Sequence, residues 1–449
     1  MIDSAAASVA LRAFGSRYSP RPNMPTDHRH AAASLARLLV TNSADDLAHR
    51  LAPKPGTPYE RFPGGTAVDA DALEKRWRAL PASSGARAAL LDAATIADAE
   101  GYRHNVEGFI GTVKTPVGIA GPLLVNGTCA SGMYHVPLAT TEAALVASYS
   151  RGALLITEAG GCAAVLVNDG VTRAPAFAFT SLHEAGQFIA WTLEHMDAIR
   201  AAAESTTRHG KLKDMRVTLE GNHVYLIFEY TTGDAAGQNM VTIATQAICE
   251  HIIAECPIKP RAWYVEGNHS GDKKASAQSF LSVRGRSVTA EVLIPGALIE
   301  QRLHTTAREL ADYWRVSAVG GVLSGTIGVQ GHYANGLAAL YLACGQDVAC
   351  VAESAVGVTR FELDNGDLYA SVTLPNLIVG TVGGGTRLPS QRACLEILGV
   401  AGDGGANAFA EVAAGISLAG ELSIVGALVA NEFTKAHARL ARRKGEAKQ

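Results

Sequence analysis

The stretch "DMRVTLEGNHVYLIFEYTTGDAAGQNMVTIATQAICEHIIAEC", Asp214–Cys256, decides the reading of the fold. Apolar and polar residues alternate on both sides of Gly221-Asn222, and that dipeptide supplies the tight turn of a hairpin. Beyond the small, polar "GDAAGQN", the apolar residues of "MVTIATQAICEHIIAEC" recur at helical spacing. Upstream, "CAAVLVND" and "APAFAFTS" read as strands, and "SLHEAGQFIAWTLEHMDAIRAAAES" as one long amphipathic helix. Downstream, "RAWYVEG" reads as a strand. Two strands, helix, hairpin, helix and strand make a split βαβ arrangement, so residues 163–265 are expected to form an α+β subdomain. No G-x-G-x-x-G opens a helix after a strand, and no G-x-x-x-x-G-K-[ST] occurs, so neither common nucleotide fingerprint is present. The helix start in "GDAAGQNM" offers backbone N–H groups that suit a phosphate, although an ordinary strand–helix turn explains the same residues.

Working outward, "FLSVRGRSVTAEVLI" reads as a hairpin and "HYANGLAALYLACGQ" as a helix. The tail from Asn407 onward is helical in period and ends basic, which suits the C-terminal end of a helix dipole. Its apolar run around Val412–Ala430 is interrupted by Glu421 and by recurrent Gly and Ser, so it reads as a buried helix rather than a membrane span. On the N-terminal side, "TPVGIAGPLLVNG" (Thr115–Gly127) reads as a strand with turns. Thr141 is a candidate cap for a helix over 142–155, and residues 70–104 read as amphipathic helix. Residues 1–65 are expected to be a partly ordered leader with a short helix near 30–50.

The chain has 449 residues, 48% of them hydrophobic and 18% charged, with a formal net charge of -3. That is ample for a large core, and the near-neutral balance gives no electrostatic reason to expect nucleic acid or an acidic membrane as partner. The seven cysteines include no C-x-x-C and several lie in apolar helical patterns, so they read as reduced core thiols of a cytoplasmic protein, with no metal site. The N-terminus lacks a basic start followed by an apolar run, which argues against a secretory signal.

Charged residues in small-residue surroundings are the candidates for chemistry. "GNHSGDKKAS" (Gly267–Ser276) puts an acid beside two lysines with almost no large apolar side chain. Glu142 stands at an expected helix start, where the dipole alone explains an acid. Asp347 closes "LACGQD" at a helix end, where an acid opposes the dipole and needs another partner, a cation being the natural one. His437, in "TKAHARL", is by itself an ordinary surface histidine.

Together the segments say more. "TPVGIAGPL", "TTEAALVASYSRG", "GDAAGQNM", "GDKKA", "LACGQD", "GTVGGGTRLPSQ" and "LAGELS…TKAH" occur in that order over roughly residues 100–440, and the chain resembles the 3-hydroxy-3-methylglutaryl-coenzyme A (HMG-CoA) reductase family. The resemblance implies an α+β fold. A large domain (66–162 and 266–430) surrounds a long central helix, with an inserted small ferredoxin-like NADP(H)-binding domain (163–265) and a C-terminal flap (431–449). It implies a homodimer or dimer of dimers with sites at the subunit interface, and NADPH-dependent reduction of HMG-CoA to mevalonate and coenzyme A through a hemithioacetal and an aldehyde.

By the same resemblance Lys273 is the catalytic lysine, stabilising negative charge on the former carbonyl oxygen. Glu142 supplies a proton at the aldehyde level, Asp347 ties lysine and glutamate together, and His437 protonates the departing thiolate. Arg173, Lys274, Glu266 and Asn335 match acyl-group contacts, and Ser148 and Arg151 match the coenzyme A site. Thr207 and Arg208 match the pair beside the extra ribose phosphate of NADPH, and Asp234, Gly237, Gln238, Asn239 and Met240 match the cofactor loop. Three features depart from the family pattern: Gln238 replaces a methionine, Glu266 replaces a serine that touches the substrate carboxylate, and "GTIGVQGHYAN" is one residue shorter and lacks the usual "NAH". A carboxylate facing a carboxylate repels unless it is protonated or turned aside onto Arg173 or a lysine, so Glu266 favours the rival reading of another acyl-coenzyme A; a non-catalytic binding relative is the second rival, against which the four catalytic matches argue.

Overall fold

The computed structural model describes residues 28–281 and 284–432, in two compact units, residues 1–62 and 63–449. The described part of the first unit carries α1 (His28–Thr41) and α2 (Ala44–Leu51), where the leader was expected to hold one short helix. Ser43 and Asp46 form a reciprocal capping box that starts α2.

The second unit opens with α3 (Ala70–Arg78), α4 (Ser84–Leu90), α5 (Ala93–Ala97) and α6 (Ala99–Tyr102). Residues 70–104 are therefore four short helices, not one, because Asp69, Ser83 and Asp92 each cap a new start and Pro81 lies between the first two. The buried Arg76 guanidinium gathers the carbonyls of Pro63, Gly64, Gly65, Ala67 and Phe109, which ties this segment together.

Next come β1 (Val117–Gly127), β2 (Ser131–Ala139), α7 (Leu145–Glu158), β3 (Cys162–Arg173), β4 (Ala176–Ala178), α8 (Leu182–Glu194), α9 (Met196–Glu204), β5 (Lys211–Glu220), β6 (His223–Thr231), α10 (Gln238–Glu255) and β7 (Ala262–Tyr264). The hairpin turn at Gly221-Asn222 stands as expected. The long helix expected over 181–205 is broken at His195, which ends α8 and precedes α9. Thr141 does not cap α7: that helix starts at Leu145, after Ala144 in the left-handed region (φ 71°), so Glu142 lies in a loop.

The chain continues through β8 (Gly285–Ile294), α11 (Gly296–Leu303), α12 (Ala307–Ser324), β9 (Gly328–Val329), α13 (Tyr333–Ala343), α14 (Val351–Ser354), β10 (Gly357–Asp364), β11 (Asp367–Leu377), α15 (Pro389–Leu398) and α16 (Ala406–Val429). "FLSVRGRSVTAEVLI" is not a hairpin: residues 285–294 form one strand, whose two edges are taken by β3 and β11. With both partners supplied from elsewhere in the chain, no local return strand is needed.

Among the described residues, eleven strands form one mixed sheet in the order β7-β4-β6-β3-β8-β11-β10-β9, with β1 beside both β2 and β3, and β5 beside β6. β3 is the spine of this arrangement. Its first half pairs with β8 and its last three residues pair with β6. β6 also lies antiparallel to both β4 and β5. Two hydrophobic cores line this sheet, beside a third, smaller cluster around Leu73, Trp77 and Phe109. One gathers the helix faces around α16 and the β1, β8 and β11 surfaces; the other gathers β4–β6 against α8, α9 and α10.

α16 is long and apolar enough to cross a membrane, but 83% of that stretch is buried inside the fold. Its glycines and alanines allow close approach: a Cβ on Gly152 of α7 would sit 1.8 Å from the Ala419 carbonyl oxygen of α16. Its two acids are both buried and both used. Glu411 accepts backbone N–H groups from Thr128, Cys129, Ala130 and Leu166. Glu421 accepts those of Gly331 and His332 together with the Thr359 hydroxyl. Buried carboxylates satisfied in this way fix the loops around the helix instead of destabilising it. All seven cysteines are free; six are buried as expected, whereas Cys129 is exposed.

Candidate active site

Lys273 sits in the loop after β7 with φ 55°, a left-handed conformation that a lysine adopts only when its surroundings impose it. Here they do. The Lys273 N–H donates to Glu353 Oε1 at 3.0 Å. Glu353 Oε2 accepts from Arg284 Nε at 2.8 Å, and Arg284 also donates to Asp272 Oδ1, to the Thr172 carbonyl at 2.7 Å and to Gln238 Oε1 at 2.6 Å. Arg284 and Glu353 are both buried, so their pairing removes two charges from solvent at once. Burial still pushes the Glu353 carboxyl up to about 7, against the pull of Arg284.

The Lys273 ammonium reaches Asp347 Oδ2 at 2.8 Å. Asp347 lies four residues past the end of α13, and its Oδ1 accepts the Ala349 N–H at 3.0 Å, capping the short turn Val348–Cys350. The acid that would oppose the α13 dipole thus has the cation it needed and serves the next turn instead. The hydrogen bond to Asp347 raises the Lys273 pKa, and burial opposes it only in part. Burial works to raise Asp347, but the hydrogen bonds from Lys273 and Ala349 outweigh it and leave the carboxyl low. Both side chains remain about two-fifths exposed (42% and 41%), so a charged pair faces open space where a ligand oxygen can approach.

Glu142 is placed elsewhere. Its Oε2 accepts from Asn335 Nδ2 at 2.9 Å, and Asn335 lies in the first turn of α13. Asp347 lies beyond the far end of that helix. Eight residues from Asn335 to Ala343 at ~1.5 Å each span about 12 Å, so the Glu142–Asn335 and Lys273–Asp347 pairs mark opposite ends of α13. The fold of one chain gathers these residues into two half-sites, and the four do not meet in a single cluster.

Arg173 is buried at the C-terminal end of β3, where its Nη1 donates to Glu266 Oε2 at 3.2 Å and to Asp272 Oδ2 at 3.1 Å. Glu266 is held further by the Ser270 hydroxyl at 3.0 Å and by the Ala174 N–H. Glu266 is therefore turned aside onto the arginine, as its charge requires. Its Oε1 and the Arg173 Nε are buried without a partner among the described residues. Lys274 is exposed and donates to the Asp272 carbonyl at 2.9 Å.

Ser148 and Arg151 on α7 both bond Ser423 of α16, the first hydroxyl to hydroxyl at 2.9 Å, the second from Nε at 3.1 Å and from Nη2 to the carbonyl at 2.6 Å. Around α10, Gly237 precedes the helix with φ 75°, and a Cβ there would come 2.1 Å from Thr232 Cγ2. Asp234 is engaged structurally, accepting N–H groups of Gly404 at 2.8 Å and Ala406 at 3.2 Å at the start of α16. Thr381 N–H donates to the Asp234 carbonyl at 2.9 Å, which fastens the loop to the glycine-rich run after Gly380. Asn239 and Met240 lie in the first turn of α10, and the Thr207 hydroxyl contacts Met240 Sδ at 3.1 Å. That contact sets Thr207 and Arg208 beside the positive end of an 18-residue helix. Arg208 is exposed and forms no ion pair with another described residue. A cation, a helix N-terminus and a loop too tight for side chains fit a phosphate-bearing cofactor. His437 lies outside the described residues.

Sequence reasoning missed Arg284 and Glu353. Arg284 lies among small residues two positions from Arg286, and Glu353 lies far along the chain; only the fold shows that they pair behind Lys273.

The hydroxymethylglutaryl-coenzyme A reductase family profile matches residues 72–442. The chain is 46% identical to the 3-hydroxy-3-methylglutaryl-coenzyme A reductase of Methanothermobacter thermautotrophicus over 76% of its length and 86% of that protein's. It is 45% identical to the Haloferax volcanii enzyme over 77% of its length and 86% of that protein's. Among solved structures, that of the Streptococcus pneumoniae 3-hydroxy-3-methylglutaryl-coenzyme A reductase superposes with a TM-score of 0.60 at 19% identity, covering 81% of this chain and all of that one. A class II enzyme structure from the same organism, bound to NADPH in open conformations, gives a TM-score of 0.59 at 21% identity, with the same coverage. The chain belongs to the hydroxymethylglutaryl-coenzyme A reductase family.

Proposed function

We propose that this protein reduces HMG-CoA to mevalonate and coenzyme A with NADPH. The observation that carries this reading is the Lys273–Asp347 pair: an accessible ammonium, charged at neutral pH, fixed by its backbone as well as by its carboxylate. Bound NADPH supplies the hydrides. Lys273 offers its charge to the thioester oxygen as the first hydride arrives, and a donor set in place beforehand costs no reorganisation at that moment. Glu142, oriented by Asn335, is the proton donor at the aldehyde level, and His437 is assigned to the leaving thiolate. Arg208 and Thr207 receive the extra ribose phosphate, the N-terminus of α10 faces the remaining phosphates, and residues 163–265 act as a ferredoxin-like cofactor domain.

The separation of the two half-sites along α13 supports an active site completed by a second copy of the chain. The exposed apolar residues Val316, Val319, Val322 and Leu323 on α12 suit such a contact. A second substrate reading is favoured by one observation only: Glu266 already occupies Arg173, which leaves less positive charge for a distal carboxylate. Steady-state NADPH oxidation with HMG-CoA and a panel of other acyl-coenzyme A thioesters tests both readings. Turnover of HMG-CoA with mevalonate as product is expected. Preference for a thioester lacking the distal carboxylate would overturn the substrate assignment.

A further inference from the structure

Gln238 opens α10 and stands between the two arms that hold the Lys273–Asp347 pair. Its Oε1 accepts from Arg284 Nη2 at 2.6 Å, and its Nε2 donates to Cys350 Sγ at 3.2 Å. The first contact leads through Arg284 to Asp272 and Glu353, and so to the Lys273 N–H. The second leads to Cys350, whose N–H donates to the Asp347 carbonyl at 3.0 Å in the short turn capped by Asp347, the carboxylate that grips the lysine ammonium. One carboxamide therefore touches the chain of contacts behind the lysine and the chain behind its counter-ion.

The side-chain type matters at this position. Arg284 has only donors, so it needs an acceptor; the buried Cys350 sulfur, a weak acceptor, takes a donor. A carboxamide provides both. Methionine provides neither at useful strength, and a carboxylate would add a third anion beside Asp272 and Glu353.

We infer that Gln238 is a positioning residue that locks the start of α10 to both members of the Lys273–Asp347 pair, so that the cofactor loop and the ammonium are set together. The link to the cofactor rests on the proposed reductase reading; the positioning of the pair rests on the geometry alone.

The test reads the pair directly. Lysines are labelled by reductive ¹³C-methylation, Lys273 is assigned by the signal lost in Lys273→Arg, and its titration is followed by NMR in the full chain. The groups facing that ammonium are Asp347, Asp272 and Cys350. Gln238→Met loosens the grip of Asp347, so the Lys273 midpoint falls toward the ordinary lysine value of about 10.4. Cys350→Ala moves it in the same direction, and Cys350→Ser, which keeps an acceptor for the Gln238 carboxamide beside the turn that Asp347 caps, restores it. In turnover, Gln238→Met lowers kcat on the order of tenfold and leaves KM for NADPH within about twofold, the pattern of a misplaced reacting group. An unchanged midpoint in a folded Gln238→Met or Cys350→Ala variant overturns the inference. So does a raised KM for NADPH with kcat preserved, since Gln238 would then be a cofactor contact. If Gln238→Met does not fold, the Cys350 pair gives the same reading. A wild-type protein inactive toward HMG-CoA would refute the reductase reading and leave the NMR comparison intact.

Discussion

At the scale of single residues, the charges legible in the sequence are those whose neighbours are small and polar. The "GDKKA" segment drew attention because two lysines had no apolar company, and the structure finds the first of them paired with Asp347. The need of Asp347 for a cation was also legible, from its place at a helix end. Arg284 and Glu353 were not, because their pairing joins segments far apart in the sequence. The charge of Glu266 calls for a cation, and the structure pairs it with Arg173. Glu266→Ser removes one of the two carboxylates on Arg173 Nη1, leaves Asp272 as the other, and makes room there for a substrate carboxylate. Steady-state kinetics should show kcat/KM for HMG-CoA rising about tenfold, equivalent to ~1.4 kcal/mol. A fall would show that the Arg173–Glu266 pair is part of the acyl pocket as it stands. Arg208→Ala should raise KM for NADPH more than KM for NADH, since only NADPH carries the extra phosphate, with a loss of about 1.5–3 kcal/mol for a charge-assisted contact. Equal effects on the two cofactors would remove Arg208 from that role.

At the scale of elements, the strand–helix alternation of Asp214–Cys256 was readable because turn chemistry and hydrophobic period agree there. Boundaries went wrong where a polar residue does two jobs. Asp69, Ser83 and Asp92 look like the polar face of one long helix, and each is the start of a new one. Strand Gly285–Ile294 looked like half a hairpin because its partners are distant in sequence. The contact of α7 with α16 follows from glycine: Gly152→Ala must push Ala419 away, and overpacking of this kind costs roughly 1–3 kcal/mol. A lower Tm and denaturant midpoint are expected, and an unchanged Tm would show that the helices can separate without loss. Glu353 gives a pH signature. Its folded pKa of about 7 lies above the ordinary value for glutamate, so the folded state binds the extra proton. The stabilisation is full below about 4.3 and is lost as pH rises through about 7. Glu353→Gln does not titrate, so the stability of the wild type relative to this variant should decline between pH 5 and pH 8 in parallel melts. A relative stability that rises over that range would contradict the assignment.

At the scale of the whole molecule, the order of the segments disclosed the family, and the division of the site needed the fold. Nothing in the spacing of Glu142, Asn335, Lys273 and Asp347 shows that α13 places one pair at its first turn and the other beyond its last. If a second copy supplies the missing half, each active site takes Glu142 from one chain and Lys273 from the other. Glu142→Ala and Lys273→Ala are then each inactive as homodimers. A mixed dimer carries both lesions in one site and none in the other. The decisive measurement is NADPH oxidation with HMG-CoA by the two variants refolded or coexpressed together. The account predicts that activity returns to about a quarter of the wild-type rate for random pairing, since about half the dimers are mixed and each has one intact site. A mixture as inactive as its parents, beside an active wild type, would contradict it.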